Sequence, residues 1–443
     1  MRILMYGWEF PPHISGGLGV ACFGMTQALA ELKHDVTFVL PRLKEGMSVN
    51  SHVELLGVNQ FPLANTRVGM PQATDLGKQL EEITRRVELM EVDSPLSPYL
   101  TDQTYIEALS RLESRRDTGT KYGEDTSYRL EVSGDYGPNL VAEIMRYARA
   151  AGGIAATVPH DVIHAHDWLT MLAGIEARRI SGKPLVVHVH ALEFDRSGEN
   201  VNQVIYEIER LGMTRADVVV AVSRYTRNTI VDRYGVDPSK VEVVHNAVTR
   251  AAMPGDPVEH RKNRREKVVL FLGRITFQKG PDYFVEAAAK VLAQRDDVRF
   301  VMAGSGDMAP RMIERVAELK LGRKFHFTGF LAGAEVDRMY SESDVYVMPS
   351  VSEPFGISPL EAMYHDVPVI ISRQSGVSEI LKHALKVNFW DVDDLADKIL
   401  AMLSHGPLRQ EMLEQGSREI ERIQWSNAAT RLTEVYGRIQ GSA

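Results

Sequence analysis

The stretch "SVSEPFGISPLEAM", residues 350–363, carries two carboxylates, Glu353 and Glu361, separated by a Phe-Gly turn and a Ser-Pro pair. Ser358-Pro359-Leu360-Glu361 has the spacing of a capping box, with a hydroxyl at the N-cap, proline at the first helical position and a glutamate that reaches back. A helix should therefore begin at Ser358, which leaves Glu353 in the loop before it. Glu361 has two readings, a helix cap or a ligand group. Two cations lie upstream in "FLGRITFQKG", where Arg274 and Lys279 follow a short apolar run. A loop Arg or Lys is ordinarily just solvated, but two of them beside a helix N-terminus at Ser358 together suit the charge of a diphosphate.

Two histidine pairs invite a different chemistry. "DVIHAHDW" places His164 and His166 on one strand face, and "VVHVHALEF" repeats the arrangement with His188 and His190. Imidazoles projecting from neighbouring strands are potential ligands for zinc or a metal pair, as in a metallohydrolase. A barrel enzyme of that kind would need about eight repeated strand-helix units around one centre, and this chain reads as two open halves, so no metal is expected. The inner members, His164 and His188, are expected to pack in the core, leaving His166 and His190 as candidates. "SGGLG", Ser15 to Gly19, offers either backbone N–H groups to an anion or a turn needing positive φ. "DVD", Asp391 to Asp393, opens a helical pattern and reads as a cap before it reads as a metal-diphosphate site.

These residues need elements to hold them. In the first half "RILMYG", "DVTFVL", "DVIHAH", "PLVVHVH" and "DVVVAVS" are nearly continuous apolar runs, as strands buried on both faces of a parallel sheet should be. "VACFGMTQALAELK" has Val20, Phe23, Leu29 and Leu32 at roughly helical spacing, so the chain begins strand, loop, helix. The polar, basic, proline-containing stretch 247–267 reads as a linker. After it "VVLFLG", "VRFVMAG", "FHFTG", "VYVMP" and "VPVII" restart the same grammar, with helices expected over 281–295, 308–320 and 333–343. Two doubly wound α/β domains result, and ligands bind such sheets beyond the carboxyl ends of the strands.

Residues 64–137 interrupt the first domain with mixed charge and scattered Pro and Gly, and long irregular insertions commonly serve as lids or binding loops. At their end "SGDYGPNL" offers Asp135, Tyr136 and Asn139, a set suited to sugar hydroxyls and a sugar face, or else a plain turn.

A chain of 443 residues suggests two cores of roughly 200 residues each. With 51 Lys and Arg against 59 Asp and Glu, the chain has no overall attraction to nucleic acid or an anionic membrane. A single cysteine, Cys22, excludes an intrachain disulfide and any multi-cysteine zinc site and suits the cytoplasm. No signal sequence and no membrane span is read, while peripheral membrane contact stays open.

In sequence order, "GWEFPPHISGGLG", "HAHDW", "VVHNAV", "FLGRITFQKG", "AGSGD" and "SEPFGISPLEAM" follow the motif order of the retaining GT-B-fold glycosyltransferases of family 4. The chain resembles their glycogen synthase-like branch over nearly its whole length. That resemblance implies two Rossmann-like domains facing each other across a cleft: 1–248 on the acceptor side with the 64–137 insertion, a linker at 249–266, a nucleotide-sugar-binding domain at 267–424, and a helix at 425–443 returning to the first domain. It implies that Glu353 faces the donor sugar, that Glu361 meets the ribose hydroxyls and that Arg274 and Lys279 clamp the diphosphate. Gly17 would offer its N–H to the donor phosphate, His166 would lie beside the donor hexose and His190 near the reacting centre. Phe355, Gly356, Ile357 and Ser358 would complete the donor loop, and Asp135, Tyr136 and Asn139 would meet the acceptor.

The implied activity is retaining transfer of a glucosyl unit from UDP- or ADP-glucose to an acceptor hydroxyl, at the end of an α-1,4-glucan, without a cofactor. A small sugar, sugar-phosphate or lipid acceptor is the alternative within that class, and a non-catalytic sugar-nucleotide sensor or a metallohydrolase lies outside it. One departure stands out: many glycogen synthases carry a lysine two places before the glycine pair, where this chain has Ile14.

Overall fold

A computed structural model describes residues 1–11, 17–43, 52–58, 140–248 and 265–441. The insertion at 64–137, Asp135, Tyr136, Asn139, Ser15, Gly16 and nearly all of the linker lie outside the described residues.

The first half forms a seven-stranded sheet from β1 (Arg2–Tyr6), β2 (Asp35–Leu40), β3 (Glu54–Gly57), β4 (Val162–His166), β5 (Leu185–Val189), β6 (Val218–Ala221) and β7 (Val241–Val243). The second half forms a six-stranded sheet from β8 (Lys267–Leu272), β9 (Val298–Ala303), β10 (Phe325–Gly329), β11 (Val345–Met348), β12 (Val369–Ser372) and β13 (Leu385–Val387). Strand order is β3-β2-β1-β4-β5-β6-β7 in one and β10-β9-β8-β11-β12-β13 in the other. Every pairing is parallel. Each sheet reverses winding beside its first strand, between β1 and β4 and between β8 and β11, which opens a crevice at the carboxyl ends of those strands. This is the doubly wound pair of α/β domains read from the sequence.

The apolar runs become strands because helices cover both faces: every residue of β4 and β5 is buried. The three strands that local composition did not announce, β3, β7 and β13, have three or four residues, and each lies at an edge of its sheet. Pairing along one side sustains them, not their own residue types. The first helix, Gly17–Glu31, buries Ala21, Cys22, Met25, Ala28 and Leu29, whereas Leu32 is 42% exposed beyond its end. Its inward stripe is therefore built of smaller residues than the spacing of Val20, Phe23 and Leu32 suggested.

The last helix, Trp425–Gln440, lies on the first domain although it follows the second. A Cβ on Gly24 would meet the Trp425 indole at 2.3 Å, and Trp425, Ala429, Leu432 and Tyr436 share the core cluster of the first helix. His34 meets the Thr433 hydroxyl at 2.9 Å, and Arg431 and Arg438 both pair with Glu242. Among the described residues no helix is long and apolar enough to cross a membrane.

Candidate active site

The loops after β8, β9, β11 and β12 converge at the carboxyl edge of the second sheet. Val351 N–H donates to the Gln278 carbonyl at 2.9 Å, and Ile275 N–H to that of Ser305 at 2.8 Å. Gly280 makes one of these approaches possible: its φ is +65° and a Cβ there would meet the Pro349 carbonyl oxygen at 2.2 Å. Between these loops lies a small recess lined by Lys279, Tyr346, Ser350 and Ser358, at the switch point of the sheet.

Glu353 sits beside it, 6% exposed. Its carboxylate is held by the Lys279 ammonium and by the Ser350 hydroxyl, the latter at 3.2 Å. Its backbone pairs with the β12 loop, its N–H donating to Gln374 at 3.0 Å and its carbonyl accepting from Gly376 at 2.9 Å. Arg274 donates to the Gln278 side chain at 3.0 Å, four residues away on the same loop. The structure thus brings Lys279 and Glu353 into direct contact and keeps Arg274 earlier on the Lys279 loop, against Gln278. An ammonium carries three donors, so Lys279 has capacity for an anion beyond Glu353.

The rest of the loop is fixed tightly. Phe355 is 3% exposed, and its carbonyl accepts from Val377 at 2.7 Å. Gly356 has φ +99°, a conformation side chains rarely adopt, and a Cβ there would press on Glu353 Cγ at 3.1 Å. Ile357 is half-buried against the cores of both domains.

The helix does begin at Ser358, and runs to Tyr364, but the capping box does not form. Ile357 occupies the N-cap position without a side-chain cap, and its carbonyl accepts from Leu360 and Glu361 at 2.8 and 3.1 Å. The Glu361 carboxylate turns instead to the Tyr340 hydroxyl, 3.1 Å away. That phenol is buried on the neighbouring helix Ala334–Ser341 and donates its O–H to the carboxylate. Burial raises the Glu361 pKa above its ordinary range, against the Tyr340 hydrogen bond. By contrast Asp391 does cap its helix, accepting from Asp394 N–H at 3.0 Å.

At the carboxyl edge of the first sheet the four histidines form one cluster. His166 and His188 are register partners across β4 and β5. Ring centroids of His164 and His166 lie 4.3 Å apart, and those of His188 and His190 likewise. His164 meets the Tyr436 hydroxyl at 2.5 Å and His166 Nδ1 meets His190 Nε2 at 3.1 Å. His164, His166 and His188 are all fully buried, so burial separates only His190 from the core members, and His166 falls with the latter. Burial pushes His164 and His190 down to about 3 and His166 and His188 well below their usual value, so all four rings are neutral at pH 7.

Gly17 is the first residue of its helix, and a Cβ there would touch nothing within 4 Å. Among the described residues, two histidine-containing groups, His164-His166-His188 and Cys22-His166-His190, have ligand atoms within 4.8 Å of one another.

Several site residues escaped the sequence reading. Asp167, with φ +59°, accepts from the backbone N–H of His190 at 2.6 Å and of Ala191 at 3.2 Å, tying the ends of β4 and β5 together. Burial pushes its carboxyl up to about 7, against those two hydrogen bonds. Ser350 and Tyr340 were passed over because a serine before a loop and a tyrosine in a helix carry no spacing signal.

Residues 114–251 match the model of Glycosyltransferase Family 4 and residues 254–419 that of Glycosyl transferases group 1. The chain is 27% identical to an uncharacterized glycosyltransferase of Methanocaldococcus jannaschii, over 98% of each chain. It is 24% identical to the glycogen synthase of Mycobacterium tuberculosis, over 98% of this chain and 94% of that one. Identity to the alpha-maltose-1-phosphate synthase of Mycolicibacterium smegmatis is 30%, over 63% of this chain and 79% of the relative. In fold it is similar to sucrose-phosphate synthase from Thermosynechococcus elongatus, with TM-score 0.71 and 17% identity over the whole of both chains. Anabaena HepE in complex with UDP-glucose superposes with TM-score 0.64 at 17% identity, over 99% of this chain and 100% of that one.

Proposed function

Because this chain belongs to the GT-B glycosyltransferases, we propose that it is a retaining hexosyltransferase that moves a glucosyl unit from UDP- or ADP-glucose to the end of an α-1,4-glucan. The observation that carries the reading is the second-sheet edge, where Lys279 and Glu353 meet at a recess lined by Ser350 and Ser358, with Arg274 on the Lys279 loop. As the glycosidic bond breaks, negative charge grows on the departing diphosphate. Preorganised cations stabilise that charge, and removing one such group typically costs ~2.7 to 4 kcal/mol. In this reading Arg274, Lys279 and Gly17 N–H meet the diphosphate and no metal is required. Glu353 faces the donor sugar, and Glu361, braced by Tyr340, meets the ribose. The neutral ring of His190 serves as a hydrogen-bonding partner for the hexose, with the buried His166 ring behind it at 3.1 Å, since a buried imidazolium beside a developing sugar cation would oppose it.

The acceptor hydroxyl attacks from the face the diphosphate leaves, which takes its proton, so that configuration is retained. The acceptor would be bound by Asp135, Tyr136 and Asn139. The relatives' names support this direction: one is a glycogen synthase and another an alpha-maltose-1-phosphate synthase, and Anabaena HepE has been captured with UDP-glucose. The second of these names favours a small phosphorylated acceptor as the other reading, with the same donor chemistry.

The decisive experiment measures nucleoside diphosphate release from a panel of UDP-, ADP- and GDP-sugars, with glycogen, with maltooligosaccharides and with small sugar phosphates. Glucan-dependent release from a glucose donor is expected. Release only with a small phosphorylated acceptor would replace the glucan reading, and hydrolysis of the donor without any acceptor would end the transfer reading.

A further inference from the structure

Both chain neighbours of Glu353 reach across to the first domain. On its amino side the Ser352 hydroxyl donates to Asp195 Oδ1 at 2.5 Å and meets the Tyr225 hydroxyl at 2.9 Å. On its carboxyl side the Pro354 carbonyl accepts from the hydroxyls of Ser223 at 2.6 Å and Thr226 at 3.2 Å. A third strap runs through the loop that pairs with the Glu353 backbone. There Glu379 accepts from the backbone N–H of Arg224 and Tyr225, at 2.9 and 2.6 Å, at the start of the helix Arg224–Tyr234. The fit is close enough that a Cβ on Gly376 would meet the Pro354 carbonyl at 2.1 Å and Ser223 Cβ at 2.5 Å.

None of these side chains is used by the transfer chemistry. Lys279 and Ser350 hold the Glu353 carboxylate from within its own domain, whereas the peptide on either side of Glu353 is held from the other. Asp195 is 3% exposed, and its second oxygen accepts from Leu192 N–H at 2.8 Å, so its geometry is fixed before Ser352 arrives. Burial raises its pKa, the nearby Glu353 charge adding to the effect and the Ser352 hydroxyl opposing it.

We propose that Asp195, Ser223 and Tyr225 are positioning residues that set Glu353 in place only when the two domains are closed, so that closure and competence of the carboxylate are a single event. The proposal rests on Glu353 facing the donor sugar. Separating the domains exposes all these groups to water, which satisfies them equally well, but releases residues 352 and 354. A loop so released lets its carboxylate wander, and a displacement of about 1 Å in such a group can cost roughly a hundredfold in rate. Nucleoside diphosphate affinity should hardly change, because Arg274, Lys279 and the loops of the second domain are untouched and the first-domain Gly17 N–H takes no part in these contacts.

The test compares Ser352→Ala, Ser223→Ala and Tyr225→Phe with wild type in donor turnover, nucleoside diphosphate affinity by calorimetry and melting temperature. Ser352→Ala and Ser223→Ala should lower kcat by roughly ten- to a hundredfold with nucleotide affinity within about twofold, and Tyr225→Phe by less. Ser352→Thr keeps the hydroxyl and should restore most of kcat. Combining Ser352→Ala with Asp195→Asn should cost less than the product of the two single losses, because both break one contact. A kcat within about twofold of wild type in both serine variants overturns the proposal. So does a loss of kcat matched by an equal loss of affinity and melting temperature, which would mark a merely structural role. An active wild type with indifferent variants removes this inference alone, whereas a wild type that turns over no donor removes the transfer reading and this inference with it.

Discussion

At the carboxyl edge of the first sheet four imidazoles pack against one another and stay neutral, while at the matching edge of the second a lysine and a glutamate pair beside a recess. The two sheets share a strand order through six positions, and in both the edge opens beside the first strand. Their loops face each other, since residues 195, 223 and 225 of one meet 352 and 354 of the other. In the proposed reading topology sets where donor and acceptor meet, and side chains set the charge of each wall. An uncharged wall suits a sugar, which brings only hydroxyls, and a charged wall suits a diphosphate. A cleft charged on both sides would hold the leaving group at the cost of the developing positive charge on the sugar.

The largest effect expected from breaking this division is at the charged wall. Glu353→Gln keeps size and removes charge, and turnover should fall at least about a hundredfold while nucleotide affinity, measured by calorimetry, survives. Wild-type turnover in that variant would show that the carboxylate faces nothing that reacts. Next come the cations: Lys279→Ala and Arg274→Ala should each weaken nucleoside diphosphate binding about ten- to a hundredfold, the worth of a charge-assisted hydrogen bond at ~1.5 to 3 kcal/mol. Chelator should leave transfer unaltered, and undiminished affinity in both variants would move the clamp elsewhere.

The neutral wall is tested by pH. Folded pKa values of about 3 for His164 and His190, with His166 and His188 also depressed, lie below the ordinary value near 6.5. The unfolded chain thus binds more protons, so stability is complete above about pH 6.5 and is lost as pH falls toward 3. Asp167, raised to about 7, works the other way, its burial cost growing as pH rises from about 4 to 7. Asp195, Glu209 and Glu361, also raised by burial, act with Asp167, so the histidine contribution is the fall in melting temperature between pH 7.5 and pH 5 that a histidine variant removes. His188→Gln should flatten that fall, and an unchanged slope would mean the rings are charged or open in solution. The smallest effect belongs to Tyr340→Phe, which removes the brace on Glu361 and should cost about 0.5 to 1.5 kcal/mol in chemical denaturation. A larger loss of nucleotide affinity than of stability in that variant would tie Glu361 to the ligand.

How much of this was written in the sequence depends on distance along the chain. Ten of the strands announce themselves by apolar runs, because a strand covered on both faces must be apolar throughout, as the fully buried β5 is. The Asp391 cap is equally local, since donor and acceptor lie three residues apart. Glu353, Arg274 and Lys279 were singled out by residue type and position in a loop after a strand, which is where doubly wound sheets place their ligands, and the structure brings Lys279 against Glu353.

Tertiary structure alone decided the rest. The partner of Glu361 is 21 residues away, so spacing pointed to the N-cap and packing pointed to Tyr340. Sequence shows two separate histidine pairs, but only the β4–β5 register, which sets His166 against His188, merges them into one neutral wall. Ser352 and Asp195 lie 157 residues apart, and no periodicity links them. Local spacing determines which elements form, because helices and strands repeat over a few residues. Which side chains then meet depends on how those elements dock, and docking is settled by burial across the whole chain.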